Sequence, residues 1–131
     1  YMAELPESLR VIIVDDKESK RAAFALILRA FGHEVLAEAD SKDLAINVID
    51  ALEPDEADAI LLDGNIEPGS TGGKDGAELA DYVRERKLGW VIVGISNNGE
   101  ISNADVNVSE PASLIDTIKR FETSRGADPA A

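Results

Sequence analysis

The chain has 131 residues, of which 44% are hydrophobic and 30% charged, and its formal net charge is −13. This length and composition are typical of one soluble domain with a single hydrophobic core. The negative charge argues against direct binding to nucleic acid or to an anionic membrane, since both require a basic surface. No apolar run approaches a membrane span, and the lack of cysteine excludes disulfides and fits a cytoplasmic location.

Short apolar runs alternate with amphipathic stretches along the chain, which predicts a repeated strand–helix unit. The predicted strands are Arg10–Val14, Glu34–Glu38, Ala57–Leu62, Trp90–Ile95 and Asp105–Val108. The predicted helices run from Glu18 to Phe31, from an N-cap at Ser41 through Leu52, from a capping box at Asp75–Glu78 to about Lys87, and from Pro111 through Phe121. The polar stretch between the last two strands has room for about one helical turn.

Strands that alternate with helices form right-handed crossovers and a parallel sheet. For five strands the commonest order is 2-1-3-4-5. We therefore predict an α/β fold, namely a flavodoxin-like (βα)5 three-layer sandwich with a parallel five-stranded sheet and a short or missing fourth helix. The predicted domain spans 9–122, and residues 1–8 and 123–131 are expected to be flexible termini.

Acidic residues follow the two strands that this order places side by side. Asp15 and Asp16 come directly after the first strand, and Asp63 comes directly after the third. Ligands gather at the carboxyl ends of parallel strands, so we expect the three carboxylates to share one crevice. Clustered carboxylates repel each other unless a cation joins them, and Mg²⁺ prefers oxygen ligands of this kind. An aspartate beside Mg²⁺ can attack a phosphoryl donor, which makes phosphoryl chemistry the leading expectation.

Several motifs occur in an order that is specific as a set, although each is weak alone. They are Val14-Asp15-Asp16, Leu62-Asp63, Ser96 at the end of the fourth strand, Phe31-Gly-His-Glu-Val35 before the second strand, and Asp75-Gly76 at the third helix. Over about Leu9 to Phe121, the chain resembles the receiver domain of bacterial two-component response regulators.

The resemblance implies a role for each of these site residues. Asp63 would be the phosphoacceptor, and Asp15, Asp16 and Asp63 would hold Mg²⁺ together with the backbone carbonyl of Asn65. Ser96 would be the switch hydroxyl that turns toward the phosphoryl group. The donor would be a histidine kinase or a phosphotransfer protein, and the chain itself would not be an enzyme.

One position departs from the family pattern. The family places a lysine and a proline after the fifth strand, where this chain has Glu110 and Pro111. A glutamate facing the crevice would add a fourth negative charge, whereas one facing solvent would favourably cap the last helix. Lys74, in the long loop after Asp63, is a candidate to replace the missing cation, or it is simply solvated.

Three other functions remain open at this point. The main alternative is a pseudo-receiver, a protein-interaction module that has lost phosphorylation switching; Glu110 and the short stretch before the fifth strand favour it. A Mg²⁺-dependent phosphohydrolase is disfavoured because the second acid expected two residues after the nucleophile is Asn65. A flavin-binding protein is disfavoured because the acids after the first strand would repel a phosphate.

Overall fold

The alternating pattern folds as five strands and four α-helices in the described part of a computed structural model, which covers residues 8–96 and 100–127, with side chains as far as 121. The strands are β1 (Arg10–Val14), β2 (Glu34–Ala39), β3 (Ala59–Leu62), β4 (Val91–Gly94) and β5 (Val106–Asn107). The helices are α1 (Glu18–Ala30), α2 (Lys42–Ala51), α3 (Lys74–Glu85) and α4 (Leu114–Ala127), with 3₁₀ turns at Pro54–Glu56 and Pro111–Ser113.

All neighbouring strands are parallel, and their order is β2-β1-β3-β4-β5. Val14 pairs with Leu62, and Leu62 pairs with Gly94, so the three central strands end at one level. This register places the residues that follow these strands along one edge of the sheet. The predicted flavodoxin-like fold and strand order are confirmed.

Helices cover both faces of the sheet, which explains why the central strands are apolar on both sides. On one face, α1 and α4 pack against the sheet through Phe24, Leu28, Leu114 and Ile118. On the other face, α2 and α3 pack through Ala45, Ile49, Leu79 and Val83. These two apolar layers fix the height of each helix relative to the strand ends.

Two helix starts were predicted from capping patterns, and one of them differs in the structure. The Ser41 Oγ accepts a hydrogen bond from the Leu44 N–H at 3.2 Å, so the predicted N-cap of α2 is confirmed. The α3 helix instead follows Gly73, which adopts a left-handed conformation with φ 74°. The capping box at Asp75 is wrong, because the Asp75 carboxylate binds the preceding loop rather than the helix start.

The connection between β4 and β5 has no helix in its described residues, 95–96 and 100–105, which agrees with the prediction of a short or missing one. Residues 97–99 lie outside the described part. Ile101 is 1% exposed and packs in the core. The Asn107 side chain accepts a hydrogen bond from the Ile101 N–H at 2.9 Å and donates one to its carbonyl at 3.2 Å. This pair of bonds closes the short connection.

The chain ends differ in part from the prediction. Helix α4 continues to Ala127, past residue 122, where the sequence predicted the end of the domain. Residues 1–7 and 128–131 lie outside the described part, so flexibility there stays a prediction. Among the residues that are described, no helix has the length and apolar character needed to cross a membrane.

Candidate functional site

The three predicted carboxylates converge at the edge where the central strands end. One oxygen from each of Asp15, Asp16 and Asp63 lies within 4.8 Å of the others. Asp15 is fully buried and Asp63 is 6% exposed, whereas Asp16 is exposed. The cluster therefore has a buried floor and one acid that faces solvent.

Backbone hydrogen bonds hold the two buried acids in register with the sheet. The Asp63 N–H donates to the Val14 carbonyl at 2.9 Å, and the Asp15 N–H donates to the Ala39 carbonyl at 3.0 Å. Asp15 Oδ1 accepts a hydrogen bond from the Lys17 N–H at 2.9 Å, which orients the carboxylate. Asp15 Oδ2 is buried and has no hydrogen-bond partner among the described residues. A buried carboxylate oxygen without a hydrogen bond requires a cation beside it.

A lysine that the sequence analysis missed lies between the two buried acids. Lys20 Nζ is 3.3 Å from Asp15 Oδ2 and donates to Asp63 Oδ1 at 3.4 Å. The Lys20 side chain is only 13% exposed. A signal for it was present in the sequence, because Lys20 shares one helix face with Phe24 and Leu28, both of which are buried. Because α1 begins near the ends of the strands, a lysine in its first turn on the buried face lies close to the strand ends.

The cation beside the acids in this structure is therefore Lys20, and a role for Lys74 stays a prediction. Lys74 is exposed at the first position of α3. It takes part in none of the ion pairs formed by the described residues, whereas Lys20 takes part in two of them.

The pKa of Asp63 is raised to about 6, mainly because the carboxyl group is buried and secondly because the charge of Asp15 is close. This value includes a lowering of the pKa by the ammonium of Lys20 and an increase from the hydrogen bond and the charge of Asp16. The Asp63 carboxylate is thus poorly solvated and close to other negative charge, yet it is mostly ionised at pH 7.5. Such a carboxylate gains from a bound cation.

The start of α3 packs directly on the end of β3, and glycines make this possible. The Gly76 N–H donates to the Gly64 carbonyl at 2.9 Å. A Cβ at Gly76 would lie 2.6 Å from the Asp63 carbonyl oxygen, and a Cβ at Gly64 would lie 3.1 Å from Ser96 Oγ. The Ser96 side chain is therefore beside the residue that follows Asp63, at the predicted edge of the site.

The loop between β3 and α3 is ordered by two side chains. Asn65 Oδ1 accepts a hydrogen bond from the Gly73 N–H at 2.9 Å. Asp75 Oδ2 accepts hydrogen bonds from the N–H groups of Ile66 and Glu67 at 2.8 and 2.9 Å. The metal-binding role expected of the Asn65 backbone carbonyl stays a prediction.

Asp75 is 3% exposed and keeps its charge inside this loop. Burial alone would raise its pKa, but hydrogen bonds from Glu67, Ser70 and Ile66 and the charge of Lys42 together lower the pKa below its usual value. Lys42 Nζ lies 3.6 Å from Asp75 Oδ1 and also pairs with Glu78. The sequence predicts Asp75 only at a helix start, because the path of a long loop leaves no periodic pattern.

Glu110 does not add a fourth negative charge to the crevice. It is exposed, and its Oε1 accepts a hydrogen bond from Ser113 Oγ at 3.5 Å. Its backbone carbonyl also accepts a bond from the Ser113 N–H at 3.1 Å. Of the two orientations considered for Glu110, the structure has the one at the start of the last helical segment.

The residues present fit a divalent metal ion. Asp15, Asp16 and Asp63 supply three carboxylates, and the buried Asp15 Oδ2, which accepts no hydrogen bond, lies beside the Lys20 ammonium. The Lys20 ammonium offsets one of these three negative charges. The two remaining negative charges match one divalent cation, and oxygen ligands of this kind suit Mg²⁺.

No protein-family model matches the sequence, and no curated protein matches it. Solved structures do match. The signal receiver domain of the response regulator NarL from Mycobacterium tuberculosis is 26% identical, with a TM-score of 0.71 over 92% of this chain and 100% of that one. This chain has the fold of a response regulator receiver domain.

Two further receiver structures agree with this assignment of the fold. A CheY-like response regulator receiver domain protein from Methanospirillum hungatei is 19% identical, with a TM-score of 0.71 over 91% of this chain and 97% of that one. A LuxR-family two-component response regulator from Aurantimonas is 22% identical, with a TM-score of 0.69 over 90% of this chain and 87% of that one. The fold is thus shared by receiver domains with little sequence identity to this chain.

Proposed function

We propose that this receiver domain is a phosphoacceptor of a two-component signal transduction system and that Asp63 accepts the phosphoryl group in a Mg²⁺-dependent reaction. The observation that carries the proposal is the convergence of Asp15, Asp16 and Asp63 within 4.8 Å at one edge of the sheet. A histidine kinase or a phosphotransfer protein would be the donor, and the domain would have no enzymatic activity on other substrates.

In the proposed reaction, an oxygen of the Asp63 carboxylate attacks the phosphorus of the donor. The new O–P bond forms while the bond from phosphorus to the donor breaks, and the electron pair of that bond leaves with the donor. The pKa of about 6 keeps Asp63 mostly ionised near neutral pH, so no base is needed to activate it. Its 6% exposure limits competing solvation of the nucleophile.

Asp15, Asp16 and Asp63 would hold the metal ion, with the Asn65 carbonyl as a further ligand. When bound, Mg²⁺ supplies positive charge that stabilises the negative charge developing on the phosphoryl oxygens. Ser96 lies beside Gly64, and its hydroxyl would donate a hydrogen bond to a phosphoryl oxygen. The Lys17 N–H keeps the Asp15 carboxylate oriented throughout.

A second candidate function is a pseudo-receiver that binds a partner without phosphorylation. The connection between β4 and β5 favours it, because its described residues form no helix and Asn107 ties Ile101 in place. Receiver domains usually build their output surface from the helix of this connection, the fifth strand and the last helix. The exposed side chain of Glu110 weakens only the argument from a fourth negative charge, because the lysine of the family pattern is still missing at this position.

Incubation with acetyl phosphate and Mg²⁺, followed by intact-mass measurement, tests the proposal. We expect one phosphoryl adduct on the unmodified chain and none on Asp63→Asn, which keeps the shape of the side chain but removes the nucleophile. Omission of Mg²⁺ should abolish the adduct. No adduct on the unmodified chain, or an equal adduct on Asp63→Asn, would contradict the proposal and leave the pseudo-receiver.

A further inference from the structure

We infer that Lys20 of α1 is the cation that pairs with the phosphoryl group on Asp63, in place of the lysine that the receiver family carries after the fifth strand. The inference rests on the proposed phosphoacceptor function and adds a residue to it. It is carried by the position of the Lys20 ammonium between Asp15 and Asp63, at 3.3 and 3.4 Å.

The backbone of α1 is anchored so that Lys20 reaches the crevice. The neighbouring Arg21 donates from NH1 to the Asp15 carbonyl at 2.8 Å and from Nε to Glu38 at 3.1 Å. These bonds tie the first turns of α1 to residues at the ends of β1 and β2. A lysine held in this way loses little additional side-chain freedom when it pairs with a new group, since its side chain is already mostly buried.

The ammonium also has the chemistry that the phosphoryl group requires. It carries three N–H donors, so it can move from the Asp63 carboxylate to a phosphoryl oxygen while it stays paired with Asp15. A phosphoryl group on Asp63 would raise the negative charge of this side chain from that of a carboxylate to nearly that of a dianion. Glu110 is exposed, bonds with Ser113 and carries no positive charge, so among the described residues Lys20 is the cation beside the acids.

Two measurements distinguish a lysine that binds the phosphoryl group from one that only forms a structural ion pair. Lys20→Met keeps most of the apolar stem and removes the charge. If Lys20 binds the phosphoryl group, the rate of adduct formation from acetyl phosphate should fall at least about tenfold. The affinity for Mn²⁺, measured by electron paramagnetic resonance, should rise, because a positive charge that repels the metal is gone.

A lower rate of adduct formation together with a higher affinity for Mn²⁺ supports the inference, whereas loss of folding or of site geometry would lower both the rate and the affinity. Lys20→Arg keeps the charge and should restore much of the rate. Lys119→Met is the control, because it removes an exposed lysine on α4 that has no part in the acid cluster. It should leave the rate within about twofold of the unmodified chain, as expected for a screened surface charge.

The outcomes distinguish failure of this inference from failure of the proposed function. An adduct that forms on the unmodified chain and at the same rate on Lys20→Met overturns the role of Lys20 alone. A fall in rate accompanied by weaker Mn²⁺ binding also overturns it, because Lys20 would then act only through the shape of the site. No adduct on the unmodified chain overturns the phosphoacceptor function and this inference with it.

Discussion

Lys20 Nζ and Asp63 Oδ1 lie 3.4 Å apart, joining the first helix to the end of the central strand. Both side chains are mostly buried, so solvent and salt screen the pair much less than they screen a surface pair. In this domain, positive charge reaches the acid cluster from α1. The position after β5 holds an exposed glutamate instead.

We expect Asp63→Asn to stabilise the metal-free protein at pH 7.5. The pKa of Asp63 is about 6, so the folded state holds this proton more tightly than the unfolded state does. The stability that protonated Asp63 contributes is present at low pH and is lost as the pH rises through about 6. Asparagine imitates the protonated form and should raise the free energy of unfolding by about 1–2 kcal/mol.

Urea unfolding at pH 7.5 and near pH 4 checks this prediction. The gain should shrink at the lower pH, where Asp63 is already protonated in the folded protein. Asp116→Asn, at an exposed position of α4, is the control and should change the stability by less than about 0.5 kcal/mol. A gain at Asp63 that is equal at both pH values would contradict a raised pKa of this carboxyl in the folded state.

Mg²⁺ should raise the melting temperature, because it binds a cluster that the unfolded chain does not form. At a concentration about 100 times the dissociation constant, the gain in the free energy of unfolding is about 2.7 kcal/mol. Asp15→Asn should abolish the effect while its amide oxygen still accepts the bond from the Lys17 N–H. Sodium chloride at equal ionic strength controls for screening of the net charge of −13 and should give a smaller rise, equal in both proteins.

Asp75→Asn should destabilise the protein by about 1–3 kcal/mol, since it removes a buried charge that accepts two backbone hydrogen bonds. The pKa of Asp75 is lowered in the folded state. Its contribution is therefore present above the ordinary carboxyl pKa and is lost as the pH falls through the lowered value. Urea unfolding at pH 7 measures the loss. Glu85→Gln, exposed on the same helix, should cost less than about 0.5 kcal/mol.

Glu110→Lys should change the rate of phosphorylation by acetyl phosphate by less than about twofold, because a solvent-facing charge is screened. Glu110 is exposed and bonds with Ser113. Intact-mass time courses of the two proteins provide the comparison. A large increase in rate would show that residue 110 reaches the crevice after all, and that the lysine of the family pattern remains useful there.

Much of the fold and the acid cluster could be predicted from local patterns. The runs ending in Asp15 and Asp63 are apolar on both faces, and the only common place for such strands is the middle of a parallel sheet. Once these strands are neighbours, their register alone brings the acids together. The Ser41 cap could be predicted because it depends on residues of one helical turn.

The features that could not be predicted depend on the direction of side chains between elements. Lys74 is a candidate from the sequence because it lies in the loop after Asp63, whereas Lys20 approaches from another helix. Asp75 matched a capping pattern, but in the long loop the N–H groups of Ile66 and Glu67 compete for the same carboxylate. Glu110 stands directly before the 3₁₀ turn that begins at Pro111, and its side chain bonds with Ser113 of that turn.

The attachment of Lys20 to α1 has a thermodynamic consequence for any partner of that helix. A protein that binds α1 and displaces it also removes positive charge from Asp15 and Asp63. Binding at the helix and the charge of Asp63 are therefore linked, and the linkage is reciprocal. Binding of a partner to α1 and a change in the charge of Asp63 alter each other's free energy by the same amount. This linkage does not involve the connection between β4 and β5, whose described residues form no helix.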